Sequence, residues 1–344
     1  MNTVGKLGAL AAGALALSIA ATPASRAQEP IVNLKVSLFT PPAGILNVQM
    51  KRIKERIESE SGGKIRLNIY ESAQMGPAPR QYDLVRTGVA DLGIVLVTLT
   101  PGRFPLSELG TLPDLVKVTD ASQASKVLST AILENSAKYL AKEYEGTRLV
   151  NVAVTPAQGF LTKKEVTTLA DLKGLRIRHG GKEYVETIEA LGAVAVSVSP
   201  TDLAEALSRG RIDGVLGLYS TATTFQLQDS AKYFLPASSG GLVFAVVMNS
   251  ASYDRIPTDL KPIVDKYFGP ATQPEWSQLF LDEEAAARQQ LEAKGVKVGA
   301  LVRADQEIAE KTAAAIREKG VAQAEAAGRP ARNFIAALQA SVSK

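Results

Sequence analysis

Cysteine is absent from the 344 residues, and histidine occurs once, as His179. The first absence excludes disulfides and thiolate metal sites, and the second excludes a histidine-rich metal cage. No G-x-S-x-G elbow accompanies the lone histidine, and no spacing singles out two carboxylates as a glycosidase pair. A periplasmic hydrolase is the rival functional class, and its machinery is not visible. Charge of one sign is also missing: 39 Lys and Arg face 35 Asp and Glu, for a net +4. That excess is too small and too scattered to argue for nucleic acid.

Long apolar runs are scarce as well. One stretch, Leu7 to Ala21, follows Lys6 and leads to small residues ending in Ser25-Arg26-Ala27. Fifteen residues fall short of the roughly 20 needed to span a bilayer. The pattern is that of a cleavable export signal over residues 1–27, with the cut after Ala27 and Ala24 as second choice. The expected mature chain has 317 residues, which is more than one core usually encloses, so two lobes are expected. An exported chain without disulfides and poor in metal ligands suggests a bacterial periplasm.

What is present is an alternation of strands and helices. Asn33 to Phe39 reads as a strand, and Leu46, Met50, Ile53 and Ile57 recur at helical spacing up to Gly62 and Gly63. Ile65, Leu67 and Ile69 alternate as a second strand. A helix over 80–86 leads to the nearly continuous apolar run Leu92 to Leu99, as in parallel strands buried on both faces. A long helix over 121–144 precedes a strand over 148–154, placed to cross into a second lobe. There the grammar repeats, with a strand ending at Arg178, a helix over 184–191, a strand over 194–198, and a helix introduced by Ser199 as N-cap and Pro200 at its first position. A strand over 212–218 and a return strand over 242–249 follow, and the remainder reads as mainly helical. The expected layout is one lobe from 28–152 plus about 249–300, a second from 153–248, and C-terminal helices over 301–344.

Five strings, in this order, carry a family resemblance: SGGKIRLNIYESAQMG (61–76), RTGVADLGIV (86–95), GRFPLSELGTLP (102–113), LADLKGLRIR (169–178) and ALSRGRIDG (206–214). Along nearly the whole mature chain the sequence resembles the extracytoplasmic solute-binding proteins of TRAP transporters, the DctP type. The resemblance implies a two-lobed α/β periplasmic-binding-protein fold with hinge strands and long C-terminal helices. It also implies closure over a small organic acid, no cofactor, and delivery to the small and large membrane subunits of a sodium-coupled permease. A monomer is expected.

In that family the last arginine of the LKGLRIR strand holds the ligand carboxylate, which places the role on Arg178. A guanidinium presents parallel N–H donors matched to a carboxylate and stays charged, so it fixes orientation as well as sign. Arg176, on the alternate side of the strand, is expected to face solvent or a structural carboxylate.

Departures from the family pattern bear on the ligand. Gly217 stands where many members have an asparagine that contacts it, and Leu96 stands five residues beyond Asp91, where sialic-acid binders place a glutamate. A polyhydroxylated sugar acid would therefore lose partners, and room for a more apolar body is expected. Phe39, Phe160, Tyr219 and Phe244 lie near cleft-facing segments of the family, where they either stack on a ring or pack in the core. Gln158 replaces the second arginine of some relatives, and Gln74 lies in a cleft-facing loop. Thr98 either donates a hydroxyl to the ligand or caps its strand, and His179 either adds a donor or is structural. A dicarboxylate would need a second cation that the sequence does not identify, so the reading leans to a keto, hydroxy or aromatic monocarboxylate. Presentation of the ligand to a sensor, rather than to a permease, is the alternative on the same fold.

Overall fold

The computed structural model describes residues 31–100, 102–117, 123–237 and 239–343. The expected export signal and the first two residues of the long helix read over 121–144 lie outside them.

Strand β1 (Val32–Ser37) leads into helix α1 (Ile45–Glu60), whose Leu46, Met50, Ile53 and Ile57 are buried as the spacing predicts. The helix gives way to Gly62 and Gly63, whose φ values of 60° and 77° are open to glycine at little steric cost. Strand β2 (Ile65–Tyr70), helix α2 (Gln81–Arg86) and the fully buried strand β3 (Leu92–Leu96) complete a β-α-β-α-β unit. Residues 97–99, expected to extend the strand, instead turn into a 3₁₀ segment with Thr98 buried. Helix α3 (Ala124–Tyr139) and strand β4 (Thr147–Val154) follow.

After Val154 the chain crosses into a second sheet. Strand β5 (Gly159–Thr162), strand β6 (Arg176–Arg178), helix α4 (Val185–Ala190), strand β7 (Val194–Val196), helix α5 (Leu203–Ser208), strand β8 (Gly214–Gly217), helix α6 (Tyr219–Thr224) and strand β9 (Tyr233–Pro236) build it. Ser199 does precede this α5 region, but its hydroxyl pairs with Thr201 at 3.0 Å and caps no amide, because the helix opens as a 3₁₀ turn over Pro200–Asp202. The chain is back in the first sheet with strand β10 (Val243–Asn249), so the crossing precedes Val243. Helices α7 (Ser250–Asp254), α8 (Lys261–Tyr267) and α9 (Gln273–Ala293), strand β11 (Lys297–Val298), and helices α10 (Arg303–Ala326) and α11 (Ala331–Val342) close the chain.

The first sheet has the order β2-β1-β3-β10-β4, with β10 antiparallel to both neighbours. The second has the order β11-β9-β5-β8-β6-β7. The two crossings run side by side. Thr155 donates its amide to Leu242 O at 2.9 Å, Leu242 returns an amide to Thr155 Oγ1 at 2.8 Å, and β4/β10 and β5/β9 pair on either side. A third passage runs through helix α9, since the strand that follows it, β11, pairs with β9 of the second sheet. Helix α9 ties both halves together. Its Gln273 bonds the backbone of Val152 in the first sheet, and its Leu291 lies in the core behind the second. No helix among the described residues is long and apolar enough to cross a membrane.

Candidate anion-binding site

Strand β6 is three residues long, and its side chains alternate as a strand requires. Ile177 is fully buried in the sheet, while the flanking arginines have different surroundings. Arg176 is largely exposed and bonds Asp213 through Nε and Nη2 at 2.9 Å each. Arg178 is 6% exposed, and its Nε donates to Val198 O at 3.1 Å. No ion pair engages it among the described residues, and burial alone lowers its pKa to about 10. The group therefore remains charged at neutral pH while lacking a countercharge, an arrangement that disfavours the folded state by several kcal/mol per ion unless an anion arrives.

Arg178 borders a cavity of about 80 Å³ whose other walls are mainly apolar. Phe39, Leu96 and Phe244 come from the first sheet or its edges, Leu203 and Leu218 from the second, and Phe280 from α9. Phe244 and Phe280 stack, with ring centroids 5.6 Å apart and planes 15° apart. Thr40 and, on α6, Ser220, Thr221 and Thr224 are the hydroxyl-bearing residues of the lining; the Thr40 hydroxyl donates to Asn47 Oδ1 and Thr221 Oγ1 accepts the Leu218 amide. Helix α6 is itself fixed by Glu284 of α9, whose carboxylate accepts the amides of Tyr219 at 3.0 Å and Ser220 at 2.8 Å. Burial pushes that carboxyl up, while these hydrogen bonds favour its charged form.

Of the residues singled out in the sequence, Arg178, Phe39 and Phe244 meet at this cavity, together with Leu96. The others do not line it. Phe160 is completely buried in the core, and Tyr219 stacks on Phe234 at 4.0 Å beneath Arg288. Gln158 is buried in the crossing, where its Nε2 donates to Gly240 O at 3.2 Å. Gln74 is an exposed loop residue. A Cβ at Gly217 would meet the Thr221 side chain at 3.3 Å, so the space left by its missing side chain is already contacted by α6. His179 turns its Nδ1 to Gly181 O at 2.7 Å, and burial lowers its pKa. Asp91 accepts the Lys35 amide at 2.7 Å and pairs with Arg255, a structural role, and does not line the cavity.

Thr98 sits where the halves touch. Its hydroxyl donates to Gly180 O at 2.8 Å, and a Cβ on the adjoining Gly181 would lie 2.3 Å from the Thr98 Cβ. Only a glycine lets the segment after β6 approach that closely. Further along the same seam Glu108 and Glu183 border a common cleft with Lys182 and Glu186. Both Glu183 carboxyl oxygens are buried without a hydrogen-bond partner among the described residues, and burial, reinforced by Glu108, raises its pKa to about 7.

The cavity residues that sequence reasoning missed include Thr40, the start of α1, Ser220, Thr221 and Thr224 of α6, Leu203, Leu218, Phe225 and Phe280. The Ser220-Thr221-Ala222-Thr223-Thr224 run was a visible signal for hydroxyls on one short helix. Phe280 had none, since it arrives from α9 about a hundred residues after Arg178.

Residues 38–323 match the family of bacterial extracellular solute-binding proteins, family 7, called DctP. The crystal structure of a TRAP solute-binding protein from Rhodoferax ferrireducens T118, in complex with copurified benzoate, is 26% identical with a TM-score of 0.84, covering 91% of this chain and 98% of that one. A marine-metagenome TRAP solute-binding protein specific for aromatic acid ligands, with 3-hydroxybenzoate, is 25% identical with a TM-score of 0.83 over the same shares. Among curated sequences, the C4-dicarboxylate-binding periplasmic protein DctP of Rhodobacter capsulatus is 26% identical over 77% of this chain and 78% of its own. A solute-binding protein of Albidiferax ferrireducens is 23% identical, and the match spans 63% of its length. The two-sheet α/β architecture, the long C-terminal helices and the family match agree: the chain belongs to the DctP family of TRAP-type extracellular solute-binding proteins.

Proposed function

We propose that the protein captures a small organic acid bearing one carboxylate on a compact apolar body, holds it through Arg178, and delivers it outside the cytoplasm to a TRAP membrane permease. The observation that carries this reading is the charge of Arg178, buried and unanswered, at the wall of an aromatic-lined cavity. A carboxylate supplies the missing countercharge through charge-assisted hydrogen bonds, and a planar ring suits walls made by Phe39, Phe244 and Phe280.

Two considerations favour one carboxylate over two. The described lining holds a single cation, and Gln158, at the place of a second arginine in some relatives, lies in the crossing away from the cavity. The benzoate and 3-hydroxybenzoate of the similar structures likewise carry one carboxylate on one ring. Tight binding needs enclosure besides the ion pair, because a charged hydrogen bond contributes about 1.5–3 kcal/mol against roughly 8 for micromolar affinity. Closure of the halves along the Thr98–Gly180 seam supplies it.

The test is a thermal-shift screen of the protein against aromatic, keto, hydroxy, sugar and linear dicarboxylic acids, with the corresponding amides. Ligand at a hundred times its Kd stabilises by about 2.7 kcal/mol. Stabilisation by aromatic monocarboxylates and not by their amides is expected. Stabilisation by dicarboxylates alone would overturn the assignment of ligand class.

A further inference from the structure

The cavity that Arg178 enters from the second sheet is bordered on another side by the start of α1, through Gly44, Ile45 and Leu46. This end of α1 carries no side-chain cap and no countercharge. Its N-cap is Gly44, with no side chain to cap it, and its first turn carries no acid. The amides of Asn47 and Val48 are bonded to Gly44 O at 2.9 and 3.1 Å. Those of Ile45 and Leu46 have no acceptor among the described residues. A helix of sixteen residues presents about half a positive charge at such an end, concentrated on its free N–H groups. Arg178 is the second, independent feature: 94% buried by its 6% exposure, with its Nη groups free of any acceptor among the described residues. Two positive features, one carried by each sheet, thus border one cavity without a protein anion between them.

We infer that the ligand carboxylate is shared, taking the Nη donors of Arg178 on one side and the backbone amides of Ile45 and Leu46 on the other. This rests on the reading of Arg178 given above and adds the second half of the clamp. The end of α1 then does the work for which some relatives are expected to use a second arginine. It also gives closure a cause. Arg178 travels with the second sheet and α1 with the first, so a carboxylate that bonds both is held best when the halves are together, and that difference in affinity draws them shut.

Ile45→Pro tests this without removing the helix. Position 45 is the first helical residue, where proline is well accommodated, and Gly44 already has the extended φ −66°, ψ 143° that a following proline requires. The variant deletes one amide hydrogen. Ile45→Ala is its control, since it keeps the amide and loses more of the side chain. In calorimetric titrations with benzoate, Ile45→Pro is expected to bind about tenfold more weakly than Ile45→Ala, the loss of one hydrogen bond to a charged group. Equal affinities would overturn the inference. Should Ile45→Pro fail to fold, Ile45→Glu and Ile45→Gln replace it, because an acid in the first turn favours the helix. The expected result is at least about a tenfold weaker benzoate affinity for Glu than for Gln, and again equality overturns the shared clamp. If benzoate binds and Arg178 is required but position 45 makes no difference, the carboxylate reading stands and this inference alone falls. If benzoate does not bind the wild-type protein, the same variants are titrated with the monocarboxylate that the thermal-shift screen finds, and if the screen finds none, both fall together.

Discussion

Replacing Arg178 by methionine should move stability and binding in opposite directions. Methionine has a similar reach and no charge. The depression of the arginine pKa from 12.5 to about 10 by burial corresponds to about 3 kcal/mol against the charged form, at roughly 1.4 kcal/mol per pH unit. Removing the guanidinium relieves that penalty. It also leaves Val198 O without its 3.1 Å donor, a loss of about 1 kcal/mol. The net expectation is a gain of about 2 kcal/mol for the unliganded protein, a rise of roughly 4 °C in Tm for a chain of this size. With saturating benzoate the order should reverse, because only the wild type gains the roughly 2.7 kcal/mol of ligand stabilisation. Differential scanning calorimetry with and without benzoate reads both effects. A lower Tm for Arg178→Met in the absence of ligand would show the arginine to be a structural residue and refute the reasoning.

The seam should respond to pH through Glu183. Its carboxyl titrates near 7 in the folded chain against 4.5 in the unfolded one, so the folded state binds the extra proton. Stability should therefore fall as pH rises from about 4.5 to 7 and then level off. Glu183→Gln should match wild type near pH 5 and melt a few degrees higher at pH 8, within a ceiling of about 3 kcal/mol, and a pH-independent difference would contradict this. Thr98→Val deletes the hydroxyl bonded to Gly180 O while keeping its shape. Benzoate affinity should drop by roughly three- to tenfold, from about 1 kcal/mol, and unchanged affinity in a calorimetric titration would remove the seam from the closing mechanism. Glu284→Gln weakens the hold on the amides of Tyr219 and Ser220 and should lower stability by about 1–2 kcal/mol in urea unfolding. An unchanged midpoint would show that α6 is fixed by packing alone.

Most of the architecture was legible because its strands show a period bounded by turns, either as apolar runs at Leu92–Leu96 and Val243–Asn249 or as the apolar–polar alternation of Ile65–Tyr70. Strands β5, β9 and β11 were not: two to four residues show no period of their own, and no motif marks them as LADLKGLRIR marks the equally short β6. A return strand over 242–249 was read, with the second lobe drawn to 248, whereas Val243–Asn249 already belongs to the first sheet; the place of the crossing depends on Gly240 and Gly241, whose Cβ positions would fall 1.5 Å from Thr111 O and 2.1 Å from Thr155 O. A close approach of that kind is decided by tertiary packing and leaves no periodic trace. In the site, Arg178 was legible through its motif, not through any pattern of burial. Phe39 and Phe244 were legible by position in the chain. The end of α1 was not, because its contribution is backbone, and backbone amides are the same in every sequence.

A crystal structure of the protein with benzoate tests the central claim most directly. The account predicts the carboxylate within about 3 Å of the Nη atoms of Arg178, the ring between Phe39, Phe244 and Phe280, and Thr98 still bonded to Gly180. A benzoate bound elsewhere, or an Arg178 turned from the ligand onto a protein carboxylate, would contradict it.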